Sequence, residues 1–215
     1  MRGLIAWIGR TCLSISGWRV VGGRPEAPRY VLIAAPHTSN WDFPLTMLYG
    51  MALGIWPAWV GKHTLFRFPL GVFFRALRGI PVVRGAPTNL VEQLAAQFSR
   101  RGQLVLLMPP EGTRSRAAYW KSGFYFVACG AGVPVAMGFL DYARREGGIG
   151  PLLHPGNDVG ADMEKLRTFY AGKLGRYPHL QGPIRLRVED EPHGDAGLGV
   201  DGVIANGSNG SGKAA

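Results

Sequence analysis

The stretch YVLIAAPHTSNWDFP, Tyr30 to Pro44, is where the reading of the fold begins. Its first six residues, Tyr30 to Ala35, are a short apolar run of the kind found in strands buried on both faces. HTSNWD, His37 to Asp42, then reads as a loop. A helix is expected to begin near Phe43, because Pro44 suits a first helical turn, where a missing N–H costs nothing. Strand, short loop and helix in succession open a layered α/β domain.

The same alternation continues downstream. IWPAWVG (Ile55 to Gly61) is a second strand, LGVFFRAL (Leu70 to Leu77) a helix and GIPVVRG (Gly79 to Gly85) a short strand. PTNLVEQLAAQFSRRG, Pro87 to Gly102, places Leu90, Leu94 and Phe98 at helical spacing, with Gly102 as terminator. LVLLMP (Leu104 to Pro109) is a buried strand, GFYFVACGAG (Gly123 to Gly132) a helix and VPVAMGFLDY (Val133 to Tyr142) another strand. The expected fold class is α/β: one layered domain with a mainly parallel central sheet flanked by helices, plus an N-terminal amphipathic helix. The strands from Tyr30, Leu104 and Val133 should share that sheet. GVIANGSNGSGKAA, at the end of the chain, is too poor in apolar residues to fold by itself, so residues 191–215 are expected to be a disordered tail.

With 215 residues, 47% apolar and only 18% charged, the chain has material for one sizeable core. Its 24 Lys and Arg against 14 Asp and Glu leave a net charge of +10, which suits an anionic membrane surface or an anionic substrate. The interleaved aromatic and basic strands of nucleic-acid modules are not evident, so no nucleic-acid partner is expected. Cys12 and Cys129 make neither a disulfide framework nor a metal site and read as free thiols of a reducing compartment. Near the N-terminus, Leu4, Ile5, Ile8, Cys12 and Ile15 fall on one helical face, opposite Arg10 and Ser14, with Leu13 interrupting the polar side. Such a helix either packs on the core or lies on a membrane surface, where Trp7 and Trp18 would suit the headgroup layer. No apolar run reaches the roughly 20 residues needed to span a bilayer.

Chemistry-bearing residues gather at the ends of expected strands. In open α/β sheets such ends meet in one crevice, so HTSNWD and PPEGTRS (Pro109 to Ser115) could converge. His37 and Asp42 have the types for a general-base pair, the carboxylate holding one ring nitrogen while the other takes a proton. Either motif alone would usually be a capped turn. From Lys62 to Lys121 ten Lys or Arg residues face two acids, Glu92 and Glu111, a balance suited to a phosphate-bearing substrate. No GxSxG nucleophile elbow occurs, and His63, His154, His179 and His193 form no metal-binding spacing, so neither a metal nor a cofactor is expected. A base without a protein nucleophile fits direct transfer to the hydroxyl of a second substrate.

Taken in order, HTSNWD, GKHTLFRFPLG (Gly61 to Gly71), GIPVVRG, PPEGTRS and VPVAMG resemble the glycerolipid acyltransferase family over roughly Tyr30 to Phe139. The resemblance implies that His37 is the general base and Asp42 its orienting partner. It implies that Lys62, Arg84, Glu111, Gly112, Thr113 and Arg114 hold the acceptor, especially its phosphate. Three positions depart from the family pattern: His63-Thr64 after the lysine, Val83 before Arg84, and Pro109 opening the third stretch. The expected reaction moves a fatty acyl group from acyl-CoA or acyl carrier protein to a lysophospholipid, 1-acyl-glycerol 3-phosphate first among the candidates. A hydrolase using the same pair on water and a non-enzymatic basic membrane-binding module are the alternatives. A backbone N–H near Gly112 is the expected oxyanion donor. Phe66, Phe68, Leu70, Phe73 and Phe74 are candidates to line an acyl groove, and Trp41 and Phe43 to wall off water. The resulting organisation is an N-terminal helix in 1–24, an acyltransferase domain in 25–190 and the tail, attached peripherally to the cytoplasmic face of the cell membrane.

Overall fold

Strand β2 (Arg29–Ala35) lies inside a mixed sheet, flanked on one side by β5 (Leu104–Met108) and on the other by β6 (Val135–Asp141). The computed structural model describes residues 2–82 and 90–190, with only the backbone of Arg2 and Lys62. Arg84 and the tail therefore lie outside the described residues. The sheet continues past β5 to β3 (Ala58–Lys62) and β4 (Gly79–Val82), and past β6 to β7 (Glu146–Leu153) and β1 (Arg19–Gly22). β6, β2, β5, β3 and β4 all run parallel, while β7 is antiparallel to β6 and carries β1 parallel to itself. The strands expected from Tyr30, Leu104 and Val133 are thus immediate neighbours.

Helices cover both faces, which is why β2 reads as a continuous apolar run. Val31, Ile33 and Ala35 enter one core with Leu94 and Phe98 of α4 (Leu90–Ser99), Phe124 and Val127 of α5 (Gly123–Ala131), and Met163 and Leu166 of α6 (Val159–Tyr170). Tyr30 and Leu32 face the other way, packing with Ile55, Leu107, Ala136 and Ile149. On that side α1 (Arg2–Ile15) and α2 (Asp42–Leu53) meet the sheet through Leu13, Tyr49, Ala52 and Leu140. Burying a Leu or Phe side chain contributes about 1.5–3 kcal/mol, so Leu94 and Phe98 are the main anchors of the short helix α4.

The N-terminal helix packs by an unexpected stripe. Gly9 and Leu13 are its buried residues, and a Cβ at Gly9 would come within 2.7 Å of the Ala52 backbone nitrogen. The absent side chain lets α1 and α2 approach closely. Leu4, Ile5, Trp7, Ile8 and Ile15, which form the larger apolar surface, are exposed.

β1, β7 and α6 were not legible in advance. EGGIGPLL lacks strand alternation because its glycines answer to neighbours in space. A Cβ at Gly148 would sit 1.8 Å from the Val21 carbonyl oxygen, and one at Gly150 would sit 2.2 Å from the Phe169 ring. A short helix α3 (Leu70–Ala76) follows a 3-10 turn at His63–Phe66 beside β3 and β4.

Candidate active site

Because β5, β2 and β6 are adjacent and parallel, the residues following each strand emerge side by side. Ile33 pairs with Met108 and Ala35 with Phe139. His37, Glu111 and Tyr142 follow within four residues of those positions. Residues 74 and 100 apart in sequence thereby meet around one loop.

Asp42 is the hub of that loop. His37 Nδ1 lies 3.0 Å from Asp42 Oδ2, and the same oxygen accepts the main-chain N–H groups of Thr38 and Ser39, each at 2.9 Å. Oδ1 accepts the Tyr142 hydroxyl at 2.6 Å. Burial works to raise the Asp42 carboxyl, yet the bonds from His37, Tyr142 and Ser39 outweigh it and hold the group below its ordinary range. Its place in the first turn of α2 adds the favourable end of the helix dipole. A carboxylate only accepts hydrogen bonds, so His37 Nδ1 must carry a proton and donate it. That leaves the Nε2 lone pair as the basic one. The His37 side chain is 25% exposed, against 4% for Asp42. The pair therefore has a buried orienting end and an accessible end.

Ser39 Oγ accepts the Trp41 N–H at 3.2 Å. Trp41 and Phe43 do not wall off water: both rings are exposed. Trp41 instead faces the Arg176 guanidinium, 5.8 Å from the ring centroid. Tyr177, the next residue, donates its N–H to Thr38 Oγ1 at 3.2 Å. The segment around Arg176 was not singled out from sequence, and no local pattern marks it.

The PEGTRS stretch splits by role. Glu111 is buried, with Oε1 accepting the His37 N–H at 3.1 Å and Oε2 without a hydrogen-bond partner among the described residues. Among the residues proposed for the acceptor, it is thus turned toward the His37 main chain. Gly112 sits at φ 66°, and its own N–H is taken by the Pro109 carbonyl at 3.2 Å. Thr113 Oγ1 accepts the Ser115 N–H at 3.2 Å. Arg114 is exposed and has no ion-pair partner among the described residues. The Lys62 backbone ends β3 on the same sheet edge, two strands from β2. Of the aromatics considered for a groove, Phe66 is buried against Trp59 and Phe74, whereas Phe68, Leu70 and Phe73 are exposed.

Burial pushes the Glu111 carboxyl up to about 7, the His37 N–H offsetting part of the effect. The folded protein therefore holds this proton more tightly than the unfolded chain. The stability it contributes is full below about pH 4.5 and is lost as pH rises through 7. Glu111→Gln should flatten the decline in urea stability between those pH values by on the order of 3 kcal/mol. Equal slopes for variant and wild type would refute this account of the buried carboxyl.

The arrangement can accept a proton from a hydroxyl at His37 Nε2. Comparison with known proteins bears on what it serves. No curated protein matches the chain. Among solved structures it is similar to the 1-acyl-sn-glycerophosphate (LPA) acyltransferase PlsC from Thermotoga maritima. That likeness has a TM-score of 0.52 and 18% identity, over 78% of this chain and 74% of that one, and it speaks for the fold. The acyltransferase family model matches residues 20–137, more than half of the sequence and a span that holds the His–Asp loop and the PEGTRS stretch. On that match the chain belongs to the acyltransferase family, whose enzymes transfer acyl groups other than amino-acyl groups.

Proposed function

We propose that this enzyme moves a fatty acyl group from an acyl thioester, acyl-CoA or acyl carrier protein, to the hydroxyl of a lysophospholipid, with 1-acyl-glycerol 3-phosphate as the preferred acceptor. The observation that carries the reading is the His37–Asp42 pair at 3.0 Å, which leaves Nε2 as the basic nitrogen of a side chain that is 25% exposed. In the reaction, His37 Nε2 takes the acceptor's hydroxyl proton as the oxygen attacks the thioester carbonyl. The tetrahedral intermediate collapses with cleavage of the C–S bond. The imidazolium returns its proton to the departing sulfur, leaving an ester, a thiol and a neutral histidine.

Asp42 supports the charged imidazole, and no covalent acyl-enzyme is required. Arg114, Lys62 and Arg84 are assigned to the acceptor's phosphate, following the family pattern and the excess of positive charge in this part of the chain. Arg176, beside Trp41, is a further cation at the same rim.

The test is a screen of labelled acyl-CoA and acyl carrier protein donors. Acceptors should include lysophosphatidic acid, glycerol 3-phosphate, other lysophospholipids, lyso-aminolipids and water alone. Ester formation should be fastest with lysophosphatidic acid. Acylation confined to phosphate-free acceptors would reject the phosphate assignment, and acceptor-independent release of fatty acid would reject transfer.

Donor and acceptor are both amphiphiles, so the enzyme is placed peripherally on the cytoplasmic face of the membrane. Among the described residues no helix is long and apolar enough to cross a bilayer. Large apolar side chains are nevertheless exposed on α1, including Trp7 at 63%, and around α3, including Phe68 at 90%. With the net charge of +10, these suit contact with an anionic surface. The protein should float with anionic liposomes at low salt and retain part of that binding at high salt, where only the charge contribution is screened. Failure to float in either condition would remove the membrane assignment.

A further inference from the structure

We propose that Tyr142 is a positioning residue for acyl transfer, its hydroxyl holding Asp42 Oδ1 and thereby setting the orientation of the carboxylate and its pull on His37. The inference rests on the assignment of His37 as general base. Asp42 divides its hydrogen bonds unevenly: Oδ2 accepts three donors, His37 Nδ1 and the Thr38 and Ser39 N–H groups. Oδ1 accepts one side-chain donor among the described residues, Tyr142, at 2.6 Å. That is the short range of O–H···O⁻ bonds, which are stronger than neutral ones. The carboxylate is almost wholly buried, so water is poorly placed to replace the phenol.

The tyrosine is itself braced. Its N–H donates to the Leu174 carbonyl at 2.8 Å, and the Trp18 ring meets its own edge-on, with centroids 4.9 Å apart. Asp141, the last residue of β6, pins the turn that follows by accepting the N–H groups of Ala143 at 3.0 Å and Arg144 at 3.4 Å. A phenol fixed in this way can select one orientation of Asp42. Burial, and then the bond to Asp42, push the Tyr142 hydroxyl above its ordinary range, so it remains a protonated donor.

The consequence is electrostatic as well as geometric. A carboxylate that shares its charge with a phenol supports the imidazolium less than an unshared one. Removing the hydroxyl should therefore move the acid side of the pH–activity profile to higher pH. The other titratable or charged groups facing the assembly are Glu111, behind the His37 N–H, and Arg176 and Tyr177, on the segment that crosses the loop. Tyr142→Phe leaves all of them in place, together with the ring that Trp18 holds.

The experiment measures kcat and kcat/KM against pH for wild type, Tyr142→Phe and His37→Ala, with circular dichroism to verify folding. For Tyr142→Phe the acid limb of kcat/KM should move to higher pH by roughly half a unit to one unit, and kcat should fall by about tenfold. Should Tyr142→Phe fail to fold, Trp18→Leu, which loosens the ring without removing its hydroxyl, should displace the limb in the same direction by less. A folded Tyr142→Phe enzyme with an unmoved acid limb, alongside an inactive His37→Ala, would overturn this role while leaving the base assignment standing. An active His37→Ala would overturn both.

Discussion

His37→Ala is expected to remain folded while its acyl transfer falls by about 10²–10⁴-fold, the range that general-base catalysis supplies. The fold should survive for reasons visible in the loop. The bond from residue 37 to Glu111 is made by the main-chain N–H, which alanine keeps. Asp42 Oδ2 loses the imidazole but retains the Thr38 and Ser39 N–H groups, and Oδ1 retains Tyr142. No buried charge is stranded. What disappears is the group proposed to take the acceptor's proton. Because that group acts on the reacting atoms, kcat and kcat/KM should fall together. Steady-state transfer assays and circular dichroism on the purified variant decide the matter. A folded variant turning over at close to the wild-type rate would end the assignment of His37.

Asp42→Asn should cost a similar 10²–10⁴-fold while separating charge from geometry. An asparagine can point its single oxygen at Thr38 and Ser39, keeping the turn and still accepting from His37 Nδ1. Its NH2 then faces Tyr142, whose hydroxyl can rotate to accept. The missing element is the negative charge opposite the imidazolium.

Stability should fall as well, by about 1–3 kcal/mol at neutral pH, because hydrogen bonds to a charged group are replaced by weaker ones. The sign with pH follows from the depressed Asp42 carboxyl. Its contribution is present above the ordinary carboxylate pKa and is lost as pH falls through the lowered value. Wild type and variant should accordingly converge in stability under acid. A variant with full turnover at neutral pH, or a stability gap that widened on acidification, would contradict this account.

The strands and helices from Tyr30 to Asp141 were legible because each is a local pattern. β2, β5 and β6 are buried on both faces and read as apolar runs, while Leu94 and Phe98 mark the inner side of α4 by their spacing. The histidine–aspartate pair was legible too, since His37 and Asp42 are separated by only four residues within one segment. β7 was not: Gly148 and Gly150 are required by the Val21 carbonyl and the Phe169 ring, contacts that exist only after folding. The inner stripe of α1 was misjudged for the same reason, because Gly9 is selected by the backbone of α2 and not by its own hydrophobicity.

At the site, the sequence by itself marked His37 and Asp42 as a candidate base and acidic partner and showed the concentration of positive charge between Lys62 and Lys121. These are properties of residue type and short spacing. The tertiary structure alone decided that Glu111 turns inward to the His37 backbone, that the Gly112 N–H is already occupied, and that Tyr142 completes the bonding of Asp42. Those outcomes depend on strand order. Only because β5, β2 and β6 lie parallel and adjacent do three loops, distant along the chain, share one edge and exchange hydrogen bonds at about 3 Å, a range that no spacing in the sequence encodes.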